Sequence, residues 1–322
     1  MKAIVCNEYG PISGLEFAEL DDPVPGPKEV VIRTEAIGVN FPDGLLVQGL
    51  YQAKPPTPFT PGMEAVGDVV TVGSEVTRFK PGDRVGTVGQ LGAYAELVKA
   101  HQNAVMPVPT GVDAGDATAL MCGYGTAHHA LKQRAQLQPG ETLAITGAAG
   151  LTGLAAVEIG KAMGAKVIAI ASTEEKRRLA IAHGADAALG YDNLRDALKD
   201  ATGGEGADVA FDVVGGEVFD ALSRAMAWKG RLLIVGFTSG TIPKFPVNLA
   251  LVKGYALVGV FWGSFTQREP QVYAANMAEL MNWYVEGKVK PHVEAVYPLK
   301  KAADALEFIH ARRAVGKLVL KP

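Results

Sequence analysis

The sequence predicts an α/β protein: a compact antiparallel β-domain, followed by a doubly wound parallel sheet of six strands. Three observations predict it. Near residue 125 the texture changes from short apolar runs cut by Gly and Pro to longer alternating segments. From Glu141 onward, apolar runs alternate with helical patterns, which is how strand–helix–strand units read. Between the first two runs lies Ile-Thr-Gly-Ala-Ala-Gly-Leu-Thr-Gly, with glycines at Gly147, Gly150 and Gly153.

Each element has its own signal. EVVIRTEAIGVN puts Val30, Ile32 and Thr34 on one face of a strand and Val31 and Arg33 on the other. AVGDVVTVGSEV and GAYAELVKA are similar runs, broken by PGPKE and GDRVG. The six later strands are TLAIT, KVIAIAS, AALGY, ADVAFDVVG, RLLIVGF and YALVGVFW. The helices between them are LTGLAAVEIGKAMG, rich in small residues, STEEKRRLAIAHG, ended by Gly184, NLRDALKDATG and EVFDALSRAMAWKG. QVYAANMAELMNWYVEG then carries Met277, Leu280, Met281, Tyr284 and Val285 at helical spacing. A strand VEAVYPL, a helix KKAADALEFIHARRA and a strand GKLVL complete the chain. The expected division is a first domain over 1–124, a second over 125–263, and a return to the first over 264–322.

Composition narrows the function. The 322 residues suffice for two domains, and 48% hydrophobic with 20% charged residues is ordinary for a globular protein. A net charge of −3 gives no global field for nucleic acid or an anionic membrane, so neither is an expected partner. No uncharged apolar run reaches the roughly 18 residues of a membrane span. The start, MKAIVCNEYG, meets Glu8 early and does not read as a signal peptide. Cys6 and Cys122 are expected to be free thiols in a reducing cytoplasm.

The glycine turn follows strand TLAIT, opens a helix, and sits in a unit of 31 residues from Thr142 to Ser172. That context makes it a dinucleotide-binding turn rather than a packing turn. In G-x-G-x-x-G the first glycine permits a tight turn, the second lets backbone approach pyrophosphate, and the third lets helix pack on strand. Ala148 holds the first place, which is tolerable where φ is negative. The backbone of Ala149, Gly150, Leu151 and Thr152 is then expected to face the pyrophosphate, aided by the helix dipole. An NAD site usually places Asp or Glu at the end of the second strand, about 20 residues on. Here that end reads Ile170-Ala171-Ser172-Thr173, with no acid. Ser172 and Lys176, with Tyr191 after the third strand, are candidates to hold a 2′-phosphate, which points to NADPH. A solvated basic helix face, Lys176-Arg177, fits the same residues.

Through AIGVNFPDGLLVQGLY, PFTPGMEAVGDVVTVGSEVTRFKPGDRV, GYGTAHHAL, the glycine turn and VGKLVL, essentially the whole chain resembles the medium-chain dehydrogenase/reductase superfamily. It most resembles the zinc-independent quinone oxidoreductase branch, relatives of zeta-crystallin. The resemblance implies a GroES-like catalytic domain, a Rossmann domain and a homodimer paired through Rossmann-domain edge strands. Zinc alcohol dehydrogenases of the superfamily have a Cys where this chain has Asn40, and a His where it has Met63. Cys122 falls near a third ligand position, but one thiolate does not make a zinc site. His128 and His129 are adjacent and do not share a helix face, so no metal is expected. Gly150-Leu151-Thr152-Gly153 departs from the Gly-Gly-Val-Gly of many branch members. Leu151 adds bulk beside the pyrophosphate, and Thr152 adds a hydroxyl.

Without zinc, the chemistry is positioned hydride transfer to a quinone or enone, with a donor at the carbonyl oxygen. The resemblance to 2-enoyl thioester reductases suggests Tyr51 as proton donor, in the pattern Asn40, Asp43, Gly49, Tyr51. A tyrosine packed at a loop end fits equally. Asn40 is a second donor, toward substrate or nicotinamide ribose, or else a turn amide; Asp43 reads as structural. Val214, Phe237 and Thr238 lie at carboxyl ends of strands, where an open sheet binds ligands. By resemblance, the backbone near Val260-Phe261-Trp262 meets the nicotinamide carboxamide, with Thr126 nearby; Phe261 and Trp262 serve equally as dimer-interface aromatics. Two alternatives stand beside a quinone or enone reductase. One is a 2-enoyl-CoA or acrylyl-CoA reductase, for which Arg33, Lys54 and Arg268 are scattered. The other is an NADPH-binding sensor or RNA-associated protein with little turnover.

Overall fold

A computed structural model of the chain describes residues 1–89 and 91–322. It divides into two compact units, one of Met1–Cys122 with His292–Pro322, the other of Gly123–Pro291. The crossings fall elsewhere than expected. The first comes after residue 122 rather than 124. The second comes after residue 291 rather than 263, because the two helices of 262–285 pack within the second unit. Trp262 and Met277, for instance, both lie over Gly125.

The first unit begins with β1 (Lys2–Val5) and β2 (Glu16–Glu19), an antiparallel hairpin. Next come β3 (Glu29–Val39), helix α1 (Phe41–Val47), β4 (Glu64–Val72), β5 (Arg84–Val88), β6 (Leu97–His101), β7 (Val105–Pro107) and α2 (Ala114–Ala119). β3 organises the sheet, pairing antiparallel with β4 and β6. Val30 and Ile32 enter one core cluster with Val69, Val85 and Val105. Ile37 and Val39 enter another with Ile4 and Tyr94. The inward positions thus pass from even to odd numbers along one strand. A register shift between Thr34 and Ala36 accounts for it, since one extra residue reverses every following side chain.

The second unit carries α3 (Gly125–His129), flanked by π-helical turns. It continues through β8 (Thr142–Thr146), α4 (Leu151–Ala162), β9 (Lys166–Ile170), α5 (Glu174–Ala182), β10 (Ala187–Leu189), α6 (Leu194–Ala201), β11 (Ala207–Asp212), α7 (Gly216–Arg224), β12 (Met226–Ile234), α8 (Asn248–Lys253), β13 (Ala256–Gly259), α9 (Trp262–Arg268) and α10 (Pro270–Val285). The strand order is β10-β9-β8-β11-β12-β13, and every pair is parallel. This is the doubly wound arrangement read from the sequence, reversing direction between β8 and β11. The runs are continuously apolar because helices cover both faces of such a sheet. Two elements differ: the helix expected over EVFDALSRAMAWKG ends at Arg224, with Met226 already paired to Ala207 as strand, and the strand expected over YALVGVFW ends at Gly259, with Trp262 opening α9.

The chain returns to the first unit with β14 (Val293–Pro298), α11 (Ala302–His310) and β15 (Lys317–Lys321). β15 pairs antiparallel with β3, Leu318 opposite Val39. This pairing carries Lys317 to the carboxyl end of β3, beside Asn40.

Candidate functional site

In the second unit, the turn between β8 and α4 has the geometry a dinucleotide requires. Gly147 adopts φ +60°, the left-handed region that favours glycine, while Ala148 does not. The tight turn therefore rests on Gly147, and Ala148 is tolerated in the first fingerprint place. A Cβ on Gly153 would stand 2.2 Å from the Gly147 carbonyl oxygen, so only glycine lets α4 start this close to β8. Gly150 is the extended N-cap, and its N–H donates to the Gly147 carbonyl at 2.9 Å. Leu151, expected beside the pyrophosphate, instead lays its side chain over Gly123. Its bulk is spent on packing, and its backbone stays at the helix start with that of Ala149 and Thr152.

Beyond the second strand lie the residues expected to hold a 2′-phosphate. Tyr191 accepts from the Gly147 N–H at 3.1 Å, with its hydroxyl 3.5 Å from the Ile170 carbonyl. It ties the glycine turn to the end of β9. Ser172 is exposed, and Lys176 is half-buried in the first turn of α5, where Thr173 caps its N–H. Glu174 pairs with Arg178 at 3.3 Å on the exposed side of that helix.

The strand ends opposite are braced by Asp212, which sequence reasoning missed. Its carboxylate accepts from the Thr146 hydroxyl at 2.6 Å and from the Val214 N–H at 2.9 Å, joining the ends of β8 and β11. Burial pushes its carboxyl above the usual range. Val214 and Thr238 are half-buried, and Phe237 is exposed at the same end of the sheet. Thr126 is half-buried on α3. Phe261 and Trp262 part company. Phe261 is 58% exposed, whereas Trp262 is buried against Gly125, Met277 and Tyr273, so its indole is not an interface aromatic. The paired histidines are structural: His128 bonds Glu279 at 2.9 Å, and His129 stacks on Phe265.

In the first unit, Asn40 is neither a free donor nor a simple turn amide. It is buried, its Nδ2 donates to Glu64 Oε1 at 2.9 Å, and its Oδ1 accepts from Lys317 Nζ at 3.0 Å. Lys317 also forms an ion pair with Glu64, with neither side chain exposed. Asp43 is buried next to this network. Its Oδ2 accepts from the Asn40 N–H and the Tyr94 hydroxyl, both at 2.9 Å, and Oδ1 has no partner among the described residues. Burial raises its carboxyl to about 7. Cys122 shares these electrostatic neighbours, and burial drives its thiol well above its normal value. Both cysteines are free.

Tyr51 follows the turn at Gly49, which has φ +69°. It is half-buried against the small cluster of Cys6, Leu46, Val47 and Phe59. Its hydroxyl has no hydrogen bond among the described residues, and burial raises it above the usual phenol value. It is therefore protonated at neutral pH and has a donor to give.

A zinc ion does not fit. Asn40 is already bonded through both ends of its amide, and the Lys317 ammonium lies against it and Glu64, where a cation would be repelled. Among the described residues, no three His, Cys, Asp or Glu side chains converge as a metal site. No helix among them is long and apolar enough to cross a membrane.

Residues 26–110 match the alcohol dehydrogenase GroES-like domain, and residues 152–282 the zinc-binding dehydrogenase family. Quinone oxidoreductase-like protein 2 of Rattus norvegicus is 40% identical over 99% of this chain and 91% of its own length. The structure of a mycobacterial protein complexed with NADPH superposes with a TM-score of 0.94 at 32% identity, covering all of both chains. That of Escherichia coli quinone oxidoreductase complexed with NADPH gives 0.93 at 27% identity, with the same coverage.

Proposed function

The chain belongs to the quinone oxidoreductase branch of the medium-chain dehydrogenase/reductase superfamily, and on that premise we propose that it uses NADPH to reduce quinones or α,β-unsaturated carbonyls without a metal. The observation that carries the reading is that the second unit has a glycine turn competent for pyrophosphate, while in the first unit Asn40, where zinc dehydrogenases carry a cysteine, is bonded instead to Lys317 and Glu64. When bound, NADPH supplies a hydride from its nicotinamide C4 to an electron-poor carbon.

The protein's part is to bind, orient and protonate. The amides of Ala149, Leu151 and Thr152, at the start of α4, hold the pyrophosphate, while Gly150, its own N–H given to the Gly147 carbonyl, lets the backbone come close. Ser172, Lys176 and Tyr191 hold the 2′-phosphate. Val214, Phe237 and Thr238 line the cofactor wall, while Thr126 and the backbone of Phe261 and Trp262 position the carboxamide. Tyr51 donates a hydrogen bond, then its proton, to the carbonyl oxygen as negative charge grows there. Asn40 acts by holding Lys317 and Glu64 in place, with its remaining amide N–H directed to substrate or ribose.

The chain works as a homodimer in the cytoplasm. β13 is an edge strand of the six-stranded sheet, and Trp228, Leu251, Val252 and Phe261 expose large apolar surface in the same unit. Sedimentation equilibrium should give twice the mass of one chain.

The test of function is a panel of quinones, enones and enoyl-CoA thioesters with NADPH. Oxidation of NADPH by 1,4-benzoquinone or 9,10-phenanthrenequinone, well above the rate with enoyl-CoA, is expected. Activity confined to the thioesters would replace the reading with an enoyl-CoA reductase, and none with any acceptor would replace it with a binding protein.

A further inference from the structure

We propose that Arg177, rather than Lys176 alone, is the residue that selects NADPH over NADH by meeting the 2′-phosphate of the adenosine ribose; the proposal rests on the NADPH reading above. The second strand of such a sheet ends where an NAD enzyme keeps its carboxylate. Here a guanidinium is fastened to that end. Arg177 Nη1 donates to the Ala171 carbonyl at 3.2 Å and reaches the Ser172 carbonyl at 3.5 Å. Gly190 lies on its other side, just past β10, where a Cβ would stand 3.5 Å from Nη1. The group is therefore held between the carboxyl ends of β9 and β10, near the Tyr191 hydroxyl that bonds the glycine turn.

Its charge is left uncompensated. Arg177 makes no ion pair among the described residues, whereas its neighbour Arg178 pairs with Glu174 and Lys161 pairs with Asp186. The backbone bonds use Nη1 alone, so the Nε and Nη2 donors remain. A guanidinium presents such donors in a planar fork that matches phosphate oxygens. A half-buried cation already positioned by backbone carbonyls loses little freedom on binding a dianion. It cannot accept a hydrogen bond from a ribose 2′-hydroxyl, as the carboxylate of an NAD site does.

The experiment is calorimetric binding of NADPH, NADH, 2′,5′-ADP and 5′-AMP to the wild type, Arg177→Ala and Arg177→Gln. The glutamine variant keeps a donor for the Ala171 carbonyl but removes the charge. Both variants are expected to weaken NADPH and 2′,5′-ADP by about tenfold or more, the range of a charge-assisted hydrogen bond. NADH and 5′-AMP should stay within about twofold. Equal weakening of both cofactors would make Arg177 a brace for the strand ends and overturn the proposal, as would no change at all. Wild-type protein that binds NADH as tightly as NADPH would overturn the NADPH reading itself, and this proposal with it.

Discussion

Lys317 and Glu64 form an ion pair with no solvent exposure of either side chain. Lys317 Nζ also donates to Asn40 Oδ1 at 3.0 Å and to the Val39 carbonyl at 3.3 Å, so its N–H groups are all used. Glu64 Oε1 takes the ammonium and the Asn40 amide, while Oε2 is unpartnered among the described residues. Taking two charges out of water costs several kcal/mol each, and the pair offsets this only while both members remain.

Removing one member should therefore cost more than removing both. Lys317→Met leaves a buried carboxylate and should lower unfolding free energy by about 3–5 kcal/mol. Adding Glu64→Gln should recover much of the loss. Urea denaturation of the single and double variants gives the coupling, and additive losses would show that the pair is not a unit.

Asp43 predicts an opposite pH trend to that of a salt-bridged acid. Burial lifts its folded-state value to about 7, against about 3.9 when unfolded. Between these values the folded protein holds the proton and the unfolded chain does not. Stability from this group is therefore complete at acid pH and is lost as pH rises from about 4 to 7, by up to about 1.4 kcal/mol per pH unit. Asp43→Asn should remove this component. Denaturant midpoints measured from pH 4.5 to 7.5 should then slope less downward in the variant than in the wild type.

Gly153→Ala should damage the cofactor turn more than the fold. The added methyl would meet the Gly147 carbonyl oxygen at 2.2 Å, so α4 must retreat from β8 at the point where its amides hold pyrophosphate. An affinity loss of about tenfold or more for NADPH and NADH alike is expected, because the pyrophosphate is common to both. Fluorescence titration with each cofactor checks it, and a selective loss of NADPH would contradict it.

The six-stranded sheet was legible because each strand is a continuous apolar run ended by Gly or a polar turn, a pattern that needs no partner to recognise. Helix α1 was not. It spans Phe41–Val47, contains Pro and Gly, and starts from the local bond between Asn40 N–H and Asp43. The glycine turn was legible for the same reason as the sheet, since its three glycines act on one another within seven residues. The Lys317 network was not, because it joins residues 253 and 277 positions apart. Its one trace in the sequence is a lysine opening the apolar strand KLVLK, which reads as an ordinary exposed end. Trp262 shows the same limit in reverse. Its apolar neighbours suited a sheet edge, but only the packing of α9 and α10 over Gly125 reveals that its ring is interior.

Tyr51 separates protonation from hydride delivery. Its hydroxyl is held above the usual phenol value by burial, with Cys122 and Asp43 adding to the effect, so it is a donor across the neutral range. With an enone, charge on the oxygen must be met by a hydrogen bond or proton, and Tyr51→Phe removes that donor while keeping the ring in its apolar cluster. Turnover should fall by about 10²-fold or more, with unchanged NADPH affinity. A quinone accepts hydride to give a stabilised phenolate, so its turnover should fall much less. Steady-state rates with one enone and one quinone, beside a cofactor titration, make the comparison. Equal losses for both acceptors would mean that Tyr51 positions the substrate rather than protonating it, and wild-type rates for both would move the donor elsewhere.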